Sequence, residues 1–292
     1  MYSTIIIASL LAVLSWVGID SSSKIFIKRL GPEFSVLVVT ASGIIPMLVL
    51  FFTIGNGGSA AASSMANLPL LVATSMIGGA TLFLGFLLIY KSVSNEGIAN
   101  SFIFVELQPV LLIIFGIFAL GEHLGIYQAA SMAIVFAGLV LIMVSGRFRI
   151  NRQLLPTAFG NILWAIYWFA VIIAVLYYHN FILPLLLVRV ASAVFAFAYF
   201  ASINKYPIPK GVGISLAVVS LVFVSGLLDG FGNILFSFVA FHNKVAIGSI
   251  MLTMEPILVW LVGLSLYHER ITRVQKVGFA IATTGYIVLA LL

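Results

Sequence analysis

The sequence contains no cysteine, and only 8% of its 292 residues are charged. Without thiols there are no disulfides and no thiolate metal sites. With so little charge the chain departs from soluble domains, where about 25% of residues are charged. The net charge of +6 does not point to nucleic acid. That reading needs basic residues gathered on one exposed face or helix, whereas here Lys and Arg stand singly or in threes between apolar runs. Also missing are a His-Glu-x-x-His motif, a Cys nucleophile and paired aspartates on one helical turn, and the four His lie near the ends of apolar runs. An intramembrane enzyme would lack its reactive groups, and no cofactor or metal is expected.

What the chain has is apolar length. Hydrophobic residues make up 63% of it, and a helix crosses the hydrocarbon core with about 20 apolar residues. Ten runs meet that length: 4–27, 34–54, 68–90, 97–120, 126–145, 154–177, 181–200, 211–241, 245–267 and 274–292. They do not alternate, which excludes an outer-membrane barrel. The first run lacks a basic leading segment and is long enough to span, so it reads as a retained helix and not as a signal peptide. The expected fold is all-α and integral to the membrane, with ten transmembrane helices set as a multi-pass chain in the lipid bilayer of the cell (inner) membrane.

Residues 99–138 recur as residues 246–285. At a constant offset of 147, Pro109 matches Pro256, Gly116 Gly263, Glu122 Glu269, Gln128 Gln275 and Gly138 Gly285, with Ala99, Ile103, Leu111, Ala133 and Ile134 repeated as well. Apolar matches are cheap in this composition, so the Pro, Gly, Glu and Gln pairs carry the weight. Such self-similarity marks an internal repeat, dividing the chain into residues 1–148 and 149–292 with five runs each. An odd number of spans per half makes the second half enter the membrane in the opposite direction. That is the inverted-repeat plan of secondary transporters, whose ligand site lies near the midplane. The first helices of the halves agree weakly, through Trp16 and Trp164 at an offset of 148.

Loop charge gives an orientation. One set of loops holds Lys24, Lys28, Arg29, Lys91, Arg147, Arg149, Arg152, Lys205, Lys210, Arg270, Arg273 and Lys276, and the other holds only Lys244. An excess of Lys and Arg marks cytoplasmic loops, which puts both termini outside.

Four carboxylates fall within the spans: Asp20, Glu106, Asp229 and Glu255. Facing lipid they would together cost on the order of 10 kcal/mol, so they must face the bundle interior or water. Lys24 and Arg189 are the bases near the same depth, which leaves an acidic excess suited to a cation, an amine or protons. Glu106 and Glu255 are the preferred proton-coupling and substrate pair. Each precedes a helix proline, Pro109 or Pro256, and a proline frees a backbone carbonyl beside the acid. They are not repeat mates, since Glu106 aligns with Thr253 and Glu255 with Gln108. Asp229 and Asn233 share a helix face one turn apart, where they bind an amine or sodium or else tie two helices. Asp20 and Lys24, at i and i+4, form an ion pair at the end of the first helix. Arg189 is either a counter-ion or a carboxylate clamp. Trp16, Trp164, Tyr167 and Trp168 make an aromatic wall for a cation or flat ring, or serve as anchors and packing. Asn100, Tyr90, Asn161 and His242 are further polar positions near the spans. Glu122 and Glu269 stand just before the fifth and tenth helices, where a carboxylate caps a helix N-terminus favourably.

At Pro109, Gly121-Glu122, Gln128 and Gly138, and again at Pro256, Glu269-Arg270, Gln275 and Gly285, the chain resembles the ten-helix EamA-type members of the drug/metabolite transporter superfamily. The stretch from Gly226 to Phe236 is similar to that family's eighth helix. The resemblance covers nearly the whole chain. It implies a central cavity lined by helices one, three, four, six, eight and nine, alternating access by rocking of the halves, and cytoplasmic termini, against the loop charges. The function expected is a secondary active transporter, an exporter of a small polar metabolite such as an amino acid or amine, coupled to protons. A passive channel or facilitator is the alternative.

Overall fold

A computed structural model of the protein describes residues 2–53, 67–96, 107–145, 155–203, 215–255, 257–259, 261–262 and 272–291. Among these, all regular secondary structure is helical. The helices are α1 (Tyr2–Leu30), α2 (Pro32–Ser42), α3 (Ile44–Thr53), α4 (Leu68–Glu96), α5 (Leu107–Phe118), α6 (Ile126–Ser145), α7 (Leu155–Tyr178), α8 (Leu183–Ser202), α9 (Leu216–Phe241), α10 (Val245–Leu252) and α11 (Arg273–Leu291). By length and composition, α1, α2 with α3, α4, α7, α8 and α9 suffice to cross a membrane, and four shorter apolar helices occupy the fourth, fifth, ninth and tenth runs. Large apolar side chains point outward as well as inward, Phe118 being 83% exposed and Leu216 81%. In water that surface would be a liability; in hydrocarbon it costs nothing.

The helices pair across the sequence halves. α1 packs on α9, α4 on α7, α6 on α11, and α10 touches α5 and α1. Association of helices in lipid rests on close packing, which small residues permit. Gly85 of α4 lies against the indole of Trp164, and Gly232 of α9 lies against the indole of Trp16. Gly138 of α6 abuts Ala282 and Gly278, while Gly285 of α11 abuts Val135 and Ser131. A Cβ added at any of these glycines would collide with its neighbour.

The second run is interrupted at Gly43, between α2 and α3. Pro46 lacks the amide that would bond the Ser42 carbonyl, so the ladder fails there. The gap receives a cation: Arg189 of α8 donates from Nε to the Thr40 carbonyl at 3.2 Å and from Nη2 to the Val39 carbonyl at 3.0 Å. A Cβ at Gly43 would fall on the guanidinium. A helix C-terminus carries negative partial charge, which explains why the arginine settles there.

Glu122 does cap a helix, but a different one from that expected. Gly121 turns the chain with φ of 66°, and the Glu122 carboxylate reaches α10, accepting from the amides of Val245 at 2.6 Å and Ala246 at 2.9 Å. Burial pushes its carboxyl above the ordinary carboxylate range, opposed by these two amides and by Lys244. Near the start of α6, Gln128 Oε1 instead accepts from the Gly125 amide at 2.9 Å. Glu269 lies outside the described residues. The ends of the chain meet where the Tyr2 hydroxyl donates to the Leu289 carbonyl.

Gly138→Leu overpacks the α6 and α11 contact and is expected to cost about 1–3 kcal/mol, measured as a lower thermal midpoint in detergent. Gly125→Ala, whose Cβ meets nothing closer than 3.7 Å, should leave the midpoint unchanged. Glu122→Ala leaves two amides of α10 without their acceptor and should cost about 1–3 kcal/mol. Glu33→Ala breaks only the partly exposed pair with Lys91 and should cost less than about 1 kcal/mol.

Candidate functional site

One cavity opens between the helices, and each wall follows from the packing just described. α1 contributes Trp16, Ile19 and Asp20; α4 contributes Leu82 and Phe86; α5 contributes Gln108 and Pro109. From the other half come Trp164, Tyr167 and Trp168 of α7, Asp229 and Asn233 of α9, Leu252 at the end of α10, and Glu255. These helices correspond to the first, third, fourth, sixth, eighth and ninth runs. Seven of the residues expected to bind substrate therefore share one space: Trp16, Trp164, Tyr167, Trp168, Asp229, Asn233 and Glu255. Glu106 and Asn100 lie outside the described residues.

Arg189 is 1% exposed and is not part of the lining. It stands behind Asp229 and forms an ion pair with its carboxylate, while its guanidinium carbon lies 5.9 Å from the Phe86 ring centroid. Of its two readings, the geometry selects the counter-ion. The side chains of Trp16 and Asn233 stand beside the same carboxylate. Asn233 is held in turn, donating to the Asp229 carbonyl at 2.6 Å and accepting from the Tyr167 hydroxyl at 2.7 Å. A buried ion pair is tolerable only when further hydrogen bonds satisfy its remaining atoms, and the two α2 carbonyls supply these to Arg189. Asp229 is thus held by a fixed cation.

Asp20 is arranged differently. It is 6% exposed, no donor among the described residues reaches its Oδ2, and its carboxyl is in hydrogen-bond contact with that of Glu255. Lys24, one turn further along α1, is exposed. Glu255 follows a break in the ninth run: α10 ends at Leu252, and the Thr253 and Met254 amides bond only three residues back, to Ile250 at 3.3 Å and Met251 at 3.1 Å. The Thr253 hydroxyl engages Tyr286 of α11 at 2.7 Å, which anchors the turn that presents Glu255.

Aromatic rings complete the enclosure. Trp168 meets Phe236 edge-on with centroids 4.6 Å apart, Tyr167 lies 4.9 Å from Trp168, and Phe86 meets Trp164 edge-on at 5.0 Å. Asn161 and His242 serve packing, the first donating to the Thr157 carbonyl and the second contacting the Phe238 carbonyl.

The sequence reading missed Gln108 and Phe86 as lining residues and assigned Asp20 elsewhere. A signal existed for all three. At the 147 offset Gln108 aligns with Glu255 and Phe86 with Asn233, while Asp20 lies one turn from Trp16 on the same helix. Leu82 aligns with Asp229 in the same way. The aligned positions face the cavity together, but their chemistry differs: Asp229, Asn233 and Glu255 are polar, whereas Leu82 and Phe86 are not.

Removing one member of the buried pair should show that Asp229 depends on Arg189. Arg189→Met is expected to cost about 3–5 kcal/mol, because it strands a buried carboxylate. Arg189→Met combined with Asp229→Leu should recover most of that loss, as read by thermal midpoints in a double-mutant cycle.

The comparisons with known proteins agree with this architecture. A crystal structure of another protein superposes with a TM-score of 0.70, covering 98% of both chains at 18% sequence identity, which shows a common fold and nothing about substrate. No curated protein matches the sequence significantly. Residues 3–144 do match a family of membrane transporters. That segment, just under half of this multi-pass membrane chain, is similar to the EamA-like transporter family of the drug/metabolite transporter superfamily.

Proposed function

We propose that the protein is a secondary active transporter that exports a small polar metabolite bearing an amine, such as an amino acid or amine, by alternating access and in exchange for protons. The observation that carries this reading is the cavity itself. It sets Asp20, Asp229, Glu255 and Asn233 opposite Leu82, Phe86, Trp164 and Trp168. A solute with a cationic head and an apolar body meets both walls, the head through charge-assisted hydrogen bonds and the body through ring contacts.

The mechanism proposed is rocking of two inverted five-helix halves, residues 1–148 and 149–292, with ten spans in all. Packing supports it. Gly138 on Ala282 and Gly285 on Val135 exchange under the 147 offset, and the same offset relates Gly85 beneath Trp164 to Gly232 beneath Trp16 within one residue. Contacts that repeat in this way let the halves trade conformations about the central site. Glu255 carries protons and substrate in turn, with Glu106 as the second carrier, and Trp16, Trp164, Tyr167, Trp168 and Asn100 complete the substrate surround. Loop charge favours termini outside the cell. Single cysteines introduced into this cysteine-free chain at Lys244 and Arg147 would decide the orientation, with an impermeant maleimide expected to label position 244 and not 147 in intact cells.

The test of function is flux in proteoliposomes. A panel of amino acids and amines is first screened for those that raise the thermal midpoint, since a ligand that binds the folded state stabilises it. Flux of the best ligand should respond to an imposed pH gradient and accumulate solute against its own gradient. Glu255→Gln should lower it by about tenfold or more, as befits one lost charge-assisted contact. Equilibration without accumulation would favour the facilitator; unchanged flux in the variant would remove Glu255 from the mechanism.

A further inference from the structure

Among the described residues no donor reaches Oδ2 of Asp20, although Gln108 and Trp164 line the same cavity. Asp229 has Arg189. Asp20, buried on α1, has Glu255, and an ionised carboxylate only accepts hydrogen bonds. Two carboxyl groups in hydrogen-bond contact therefore need a proton between them, and no described donor reaches Oδ2 of Asp20 to take that proton's place there. The groups facing this pair from the surrounding helices do not replace that proton. They are Tyr90 of α4, whose buried hydroxyl has no partner among the described residues, the ion-paired Asp229 of α9 and Arg189 of α8, and Tyr167 of α7, already engaged with Asn233. Lys24 is exposed one turn away.

We infer that Asp20 and Glu255 form a single proton-binding site, an acid and a carboxylate sharing one proton between α1 of the first half and the ninth run of the second. Asp20 joins Glu255 in this site, where the spacing along α1 alone had paired it with Lys24. The shared proton bonds the two halves to each other across the cavity. A primary ammonium competes for the same place, because its three N–H donors serve both carboxylates where the proton serves them with one O–H. Its entry sends that proton to cavity water, so one monovalent amine exchanges for one proton. This exchange rests on the carrier reading; the shared proton does not.

The experiment is infrared difference spectroscopy on the purified full chain, following the carbonyl stretch of a protonated carboxyl, with methylammonium as the probe amine and tetramethylammonium, which has no N–H donor, as the control. Wild type should show the band at neutral pH. It should lose the band on adding methylammonium but not tetramethylammonium, with about one proton per molecule released to a pH indicator. Asp20→Asn and Glu255→Gln should each lack the band, since either amide supplies N–H donors to the remaining carboxylate, and Asp20→Glu should keep it. A band absent from wild type, or equal in wild type and both amide variants, would overturn the inference. Should an amide variant fail to fold, raising the pH of wild type alone decides: the band must vanish together with release of about one proton. A shared proton of this behaviour alongside vesicles without pH-driven flux would sink the carrier reading and leave the site intact.

Discussion

The ion pair between Arg189 and Asp229 is the interaction on which the rest of the interior depends. An arginine at membrane depth is costly unless it meets a carboxylate or backbone carbonyls, and Arg189 meets both kinds. To do so it draws α8 against the interruption at Gly43 and against α9. That interruption is no defect in the second run. It exposes carbonyls at a helix end, and a cation buried among them is the physical reason a proline can be accommodated there. Asp229, once held from behind, fixes Trp16 and Asn233 on the cavity side, and Asn233 fixes Tyr167. One buried charge thus positions residues on three of the cavity-lining helices.

Much of this was legible in the sequence, for a specific reason. Hydrocarbon makes charge conspicuous, so the in-span acids, Arg189 and the aromatic cluster stood out against an apolar background, and seven of the residues expected to bind substrate share the cavity with Asp20. Residue type announced a polar interior without giving its pairing. Asp20 and Lys24 stand at the right helical spacing to interact, and nothing local reveals that Asp20 turns inward to Glu255, far away in the chain. Glu122 shows the same gap. Its position before a helix suggested a cap for that helix, while the amides it serves belong to α10, more than a hundred residues further on. The glycines beneath Trp16 and Trp164 went unread because a glycine in a membrane helix is common and becomes informative only when its neighbour is known.

The same contrast separates the frame from the lining. Positions that set helix spacing obey the 147 offset in residue type: Gly85 and Gly232, Gly138 and Gly285. Positions that face the cavity obey it only in location. Leu82 stands where the other half has Asp229, Phe86 where it has Asn233, and Gln108 where it has Glu255. Packing in lipid is an exacting constraint, since a single added methylene is felt at a close helix crossing. A cavity wall is free of it. Close helix crossings can therefore keep their glycines at the 147 offset while the residues facing the cavity differ.

Two ways of holding a carboxylate coexist within that lining, and the difference bears on mechanism. A carboxylate satisfied by a fixed cation and by fixed N–H donors has little to gain from an incoming ligand, because any new bond replaces one already made. Asp229 is in that condition. Its charge still acts on the cavity at short range, where screening by salt is weak, so it favours a cation without needing to touch it. Asp20 and Glu255 are in a different condition, each facing the other's carboxyl, with Oδ2 of Asp20 reached by no described donor. A donor brought by a ligand gains most there, and whatever proton stands between them is displaced by the arriving group. In the proposed carrier, selectivity for positive charge is accordingly set by the acid that does not move its partners, and exchange is set by the pair that must.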